Sequence, residues 1–143
     1  MHIVLAVKPG ADQPWLADAV ADLVRQTGAS VAVAVADGVE LERLAAAPRS
    51  VFADRAEVAA AAAVQRLAAA GIKASQALLG GRPVPAILEF SEQQQANLIV
   101  VGSSTRPAVA QRLLGSVPLA LIEKSTRPVV VIAHPHQPSD AKD

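Results

Sequence analysis

The residues with the clearest chemical potential lie between Asn97 and Ile132. An apolar run, Leu98 to Val101, stops at Gly102, and a polar, proline-interrupted loop follows. Gly115-Ser116 then opens a helical pattern, and Pro128 to Ile132 begins another apolar run. A strand that ends in glycine, a loop rich in hydroxyls and a Gly-Ser at a helix start make a cradle for a phosphate. The first N–H groups of a helix have no partner within it and carry the positive end of its dipole. A glycine lets that backbone come close to an anion, because no Cβ stands in the way. The same residues also have a plain structural reading. Gly102 can end a strand, Ser116 can act as an N-cap, and Pro118 fits a first helical turn.

Other candidates surround the cradle. Arg106 and Arg112 lie in the loop and could clamp phosphates through paired N–H donors, Arg112 being the better placed, or they are solvated loop charges. Lys8 follows the first apolar run and can hold an anion, pair with Asp12 or remain in solvent. His134 and His136 flank a proline without a third ligand nearby in sequence, so no metal site is expected there. The single tryptophan, Trp15, opens the first helix and either packs or reports on binding. No Asp, Glu or His lies between Gly102 and Gly115 to act as a base, and no G-x-x-x-x-G-K-[ST] loop occurs. Catalysis is therefore not expected.

The elements that must position these residues follow from apolar periodicity. His2 to Val7 is a continuous apolar run, the pattern of a strand buried on both faces of a parallel sheet. Pro14 suits a first helical turn, and Leu16, Ala19, Val20, Leu23 and Val24 recur at helical spacing up to Thr27-Gly28. Val31 to Val35 is a second strand, with a polar turn at Asp37-Gly38. Residues 38 to 50 are the least readable, with Leu41 and Leu44 in a short helix before Pro48 as one reading. A long Ala-rich helix runs from Phe52 to about Ala70, with Phe52, Ala56, Ala59, Ala63, Val64 and Leu67 on one face and Gly71 as its stop. Lys73 to Leu79 is the third strand, and Pro83 or Pro85 opens a helix that turns Ile87 and Leu88 toward the sheet. Strands and helices thus alternate, which predicts an open parallel sheet with helices on both faces. Ligands of such sheets sit outside the carboxyl ends of the strands, where strand order reverses.

Composition narrows the class. The 143 residues suit one domain with a single core. Thirteen basic residues balance thirteen acidic ones, and the three aromatics form no ladder for stacking bases, so nucleic-acid binding is not expected. The absence of cysteine excludes disulfides and thiolate chemistry. No apolar run is long enough to span a bilayer and no signal-peptide pattern is read, so a cytoplasmic domain without membrane insertion is expected.

Gly102, Gly115 and Ser116 resemble the signature of the universal stress protein family: Gly, two residues, Gly, nine residues, then Gly-Ser or Gly-Thr. AILEFSEQQQANLIVVGS (86–103) resembles the family's third helix and fourth strand, and RLLGSVPLALIEKSTRPVVVI its last helix and strand. The resemblance extends, more loosely, over residues 1 to about 133, which implies one domain over 1–134 and leaves 135–143 as a polar, Pro-rich tail. It implies five strands in the order 3-2-1-4-5, a switch point between the first and fourth, and Lys8 facing Gly102 across it. It also implies ATP or another adenosine nucleotide as ligand, with Val101, Gly102, Gly115, Ser116, Val117, Arg112, Lys8 and Thr105 as candidate contacts. Two positions depart from the family pattern. Thr105 stands where the middle glycine falls, and Lys8 stands where ATP-binding members carry an adenine-contacting Asp. An ammonium cannot accept the hydrogen bond of an adenine amino group. The resemblance further implies a homodimer through the last strand, Val129 to Ile132. The alternative is a nucleotide-free interaction module acting through protein partners.

Overall fold

The computed structural model describes residues 1–10, 13–36, 49–103 and 115–135, with the side chains of 49–53 excepted. Thr105, Arg106, Arg112, Asp12, Leu41, Leu44, His136 and the polar tail lie outside the described residues, and so does the side chain of Phe52.

Five strands, β1 (His2–Val7), β2 (Ser30–Ala36), β3 (Ala74–Leu79), β4 (Leu98–Gly102) and β5 (Val129–Ile132), form one sheet. Its order is β3-β2-β1-β4-β5 and every pairing is parallel, as expected. Around it lie α1 (Pro14–Thr27), α2 (Arg49–Ala69), α3 (Pro83–Gln93) and α4 (Ser116–Lys124). Pro14 and Pro83 each sit in a first turn, where the missing N–H costs no intrahelical bond. Gly28 ends α1 in the left-handed region, φ 71°, and its N–H donates to the Val24 carbonyl.

Each face of the sheet packs against a pair of helices. On the α1/α2 face, Ile3, Leu5, Val31, Val33, Val35 and Val100 stand up from the strands. The helices answer them with Leu16, Val20 and Leu67 set among small residues, Ala17, Ala21, Ala56, Ala59, Ala60 and Ala63. On the α3/α4 face the strands offer Val4, Ala6, Ala34, Ile99 and Val101, and the helices supply Ile87, Leu88, Phe90 and Leu121. Large side chains set among small ones let helix and sheet approach to native density. Ser91, the polar side chain buried within α3, donates to the Ile87 carbonyl at 2.7 Å, so burial leaves it satisfied. Among the described residues no helix is long and apolar enough to cross a membrane.

Candidate functional site

All five strands point one way, so their carboxyl ends and the helix N-termini gather at one end of the sheet. The order reverses between β1 and β4, whose register pairs Ala6 with Val101. That placement sets Val7 and Lys8 beside Gly102, where parallel sheets of this kind form their ligand crevice.

Strand alternation decides what faces the crevice. Val101 is buried and turns its side chain to the α3/α4 face, so only its backbone reaches the strand end. Gly102 is the next residue and turns the other way, toward α1. A Cβ built on Gly102 would stand 2.5 Å from Trp15 Cη2, 3.2 Å from Trp15 Cζ3 and 3.0 Å from Gln13 Nε2. Gly102 is therefore a point of close approach, and the approaching group is the indole. Gln13 forms the N-cap position of α1 without capping it through its side chain. Its Oε1 instead accepts the Lys8 backbone N–H at 3.1 Å. The carboxamide thus spans the space between the ends of β1 and β4. The Lys8 side chain is exposed.

Beyond β4, the Ser103 N–H donates to the Ile132 carbonyl at 2.9 Å, and the Ser103 hydroxyl accepts the His134 N–H at 2.8 Å. This holds the His134 ring against Trp15, edge to face, with centroids 5.3 Å apart and planes at 84°. Gly115 is the N-cap of α4, with φ 87° and ψ 165°. That conformation favours glycine, and it places Ser116 as the first helical residue rather than the N-cap that its hydroxyl suggested. Ser116 is exposed, Val117 packs on the α3/α4 core and Pro118 is buried.

Of the sequence candidates, Lys8, Val101 and Gly102 come together at the crevice, and Gly115, Ser116 and Val117 form the start of α4. Thr105 and Arg112 lie outside the described residues. Sequence reasoning missed Gln13, whose only signal was its place just before Pro14. It also gave no hint that His134 would sit on Trp15. Among the described residues, no group of three or more metal-ligating side chains gathers.

Among the described residues two clefts stand out, the first adjoining the end of β1 through Val7, Gln13 and Pro14. One of about 190 Å³ opens between α1 and α2, lined by Gln13, Ala17, Ala63 and Arg66 among others. Its volume is below the roughly 300 Å³ at which ligand pockets begin. Arg66 pairs there with Asp18 through two bonds of 2.8 and 3.0 Å, which holds the Asp18 carboxyl below its usual pKa. A second, of about 320 Å³, lies at the opposite end of the sheet between Glu92, Ser91, Lys124 and Arg127.

The universal stress protein family model matches residues 1–133. The chain belongs to the universal stress protein family. A universal stress protein of Methanocaldococcus jannaschii is 37% identical over 65 residues, 46% of this chain and 38% of that relative. The chain thus matches well under half the length of that curated relative. Among solved structures, a universal stress protein in complex with cAMP is 26% identical, with a TM-score of 0.67 and coverage of 90% of this chain and 95% of that one. A universal stress protein from Archaeoglobus fulgidus in complex with dAMP is 24% identical, with a TM-score of 0.70 over 92% of this chain and 97% of that one. These universal stress protein folds agree with the sheet order and helix layers described above.

Proposed function

We propose that this universal stress protein is a cytoplasmic, non-catalytic regulatory or stress-tolerance module. It binds ATP or another adenosine nucleotide between the end of β4 and the start of α4. The observation that carries the reading is Gly115 at φ 87°, which opens α4 at the same end of the sheet as the β1/β4 switch point. The cAMP and dAMP held by the two similar structures favour this ligand class. In this reading the backbones of Val101 and Gly102 border the nucleotide. The amides of Gly115, Ser116 and Val117, with the Ser116 hydroxyl, hold phosphate at the positive end of the helix. Lys8, exposed at the end of β1, supplies a compact positive charge toward the same anion.

Native mass spectrometry with ATP, AMP and cAMP tests this. Gly115→Asp is expected to weaken binding by at least about tenfold, because a carboxylate both clashes with and repels the phosphate. Undiminished binding in that variant would sink the cradle.

A second reading, a nucleotide-free homodimeric module, draws on the other edge of the fold. β5 is an edge strand, and its four apolar residues are only half-buried. Leu119 and Ile122, three residues apart on α4, are 46% and 47% exposed. An apolar edge of this kind calls for cover, and a second copy of the chain supplies it. A dimer at micromolar concentration is expected under both readings, with Ile122→Glu shifting it toward monomer. A monomeric wild-type mass would exclude the dimer.

A further inference from the structure

The place where a nucleotide would meet the end of β4 is already filled by the chain itself. Gly102 presents its bare Cα toward α1, and the indole edge of Trp15 comes so near that not even a methyl group fits between them. Gln13 closes the neighbouring gap, with Oε1 on the Lys8 N–H and Nε2 against Gly102. Gln13 is the N-cap of α1 and Trp15 lies in its first turn, and His134 steadies the indole from the segment after β5. Leu16 and Val20, on the same helix, are fully buried, whereas Trp15 remains only half-buried at the mouth. Gln13 occupies an N-cap position yet sends its carboxamide into the crevice instead of to the helix N–H groups.

We propose that Trp15 and Gln13 are an internal occupant of the nucleotide crevice, and that a nucleotide binds there only by displacing the indole from Gly102. This regulation rests on the nucleotide reading given above. Its physical content is a competition. The apparent affinity is the intrinsic affinity reduced by the fraction of molecules in which the indole has left, so removing the occupant raises affinity without adding a contact. The glycine then has two partners in turn, the indole in the free protein and the ligand in the complex. In the free protein Trp15 and Gln13 fill the crevice, with His134 resting on the indole.

The test uses the full chain and titrates AMP, ATP and cAMP onto wild type, Trp15→Ala, Trp15→Phe and Gln13→Ala by calorimetry. The single tryptophan provides an independent readout in the wild type through its emission and its quenching by acrylamide. The expected result is a red shift and stronger quenching on nucleotide addition. Trp15→Ala and Gln13→Ala should bind roughly tenfold tighter, as an open population of about one in ten requires, and Trp15→Phe should fall between. Binding by Trp15→Ala where wild type does not bind would support the proposal in its strongest form. Equal or weaker binding by the folded variants overturns it and leaves the nucleotide reading intact, with the indole as a fixed wall or a stacking surface. Saturable wild-type binding without any change in Trp15 emission also overturns it, even if Trp15→Ala fails to fold. No binding by wild type or by any folded variant removes the nucleotide reading and this proposal together.

Discussion

The two ends of the parallel sheet are built from different interactions. At the amino ends of the strands, polar side chains complete one another. The His2 N–H donates to Asn97 Oδ1 at 2.8 Å, and the Asn97 N–H returns to the His2 carbonyl at 2.8 Å. The His2 ring reaches Ser30 Oγ at 2.6 Å through Nδ1 and Gln94 Oε1 at 2.9 Å through Nε2. Arg127 donates to the Ala96 carbonyl beside them. At the carboxyl ends the Lys8 N–H donates to Gln13 and the His134 N–H to Ser103, and beside these bonds an indole lies on a glycine. Hydrogen bonds of the first kind are directional and fix one arrangement, whereas an indole edge on a bare backbone can be exchanged for another flat group. The difference teaches that side-chain hydrogen bonds close one end, while the other combines hydrogen bonds with a close indole–glycine contact.

The largest expected effect comes from filling the space at Gly102. Gly102→Ala should cost about 1–3 kcal/mol by overpacking against Trp15, seen as a lower denaturation midpoint and an altered Trp15 emission. Adding Trp15→Ala should recover part of that loss, since residues in contact do not add. A neutral Gly102→Ala with unchanged emission would break the comparison, because the indole contact would then carry no weight. A smaller effect is expected at the other end. His2→Ala should cost about 1 kcal/mol through its lost side-chain hydrogen bonds while leaving Trp15 emission unchanged. A shifted emission would mean that the two ends are coupled through the sheet.

The smallest effect belongs to the Asp18–Arg66 pair, which ties α1 to α2 with both side chains about half exposed. Asp18→Asn should cost less than about 1 kcal/mol, because solvent screens such a pair. Arg66 lowers the Asp18 pKa below its ordinary 3.8, so the pair's contribution is present above that value. It is lost as pH falls through the lower folded value, where the carboxylate takes up a proton. The gap between wild type and Asp18→Asn should therefore narrow in acid. A gap that widened there would reverse the sign argument.

Much of the fold was legible in the chain. The apolar runs at β1, β2 and β4 read as strands because a strand covered on both faces shows no alternation. Pro14, Gly28 and Gly71 marked helix boundaries through the conformations they favour or exclude. Pro83, of the two prolines considered, opens α3. The long helix starts at Arg49, three residues earlier than its apolar face indicated, because a helix boundary need not coincide with the first buried side chain. The site was legible only in outline. The spacing of Gly102 and Gly115-Ser116 pointed to the carboxyl end of the sheet, where both are found, yet it could not show what stands beside Gly102.

The sequence by itself determined the class of fold, the family and the ends of most elements, since periodicity, Pro and Gly act over a few neighbouring residues. Only the tertiary structure decided that Trp15 and Gln13 meet Gly102, that His134 meets Trp15, and that Gly115 rather than Ser116 occupies the N-cap of α4. Those contacts join residues up to 119 positions apart, Trp15 and His134 being the most distant pair. They depend on strand order and on which face each residue turns to, which no local pattern encodes.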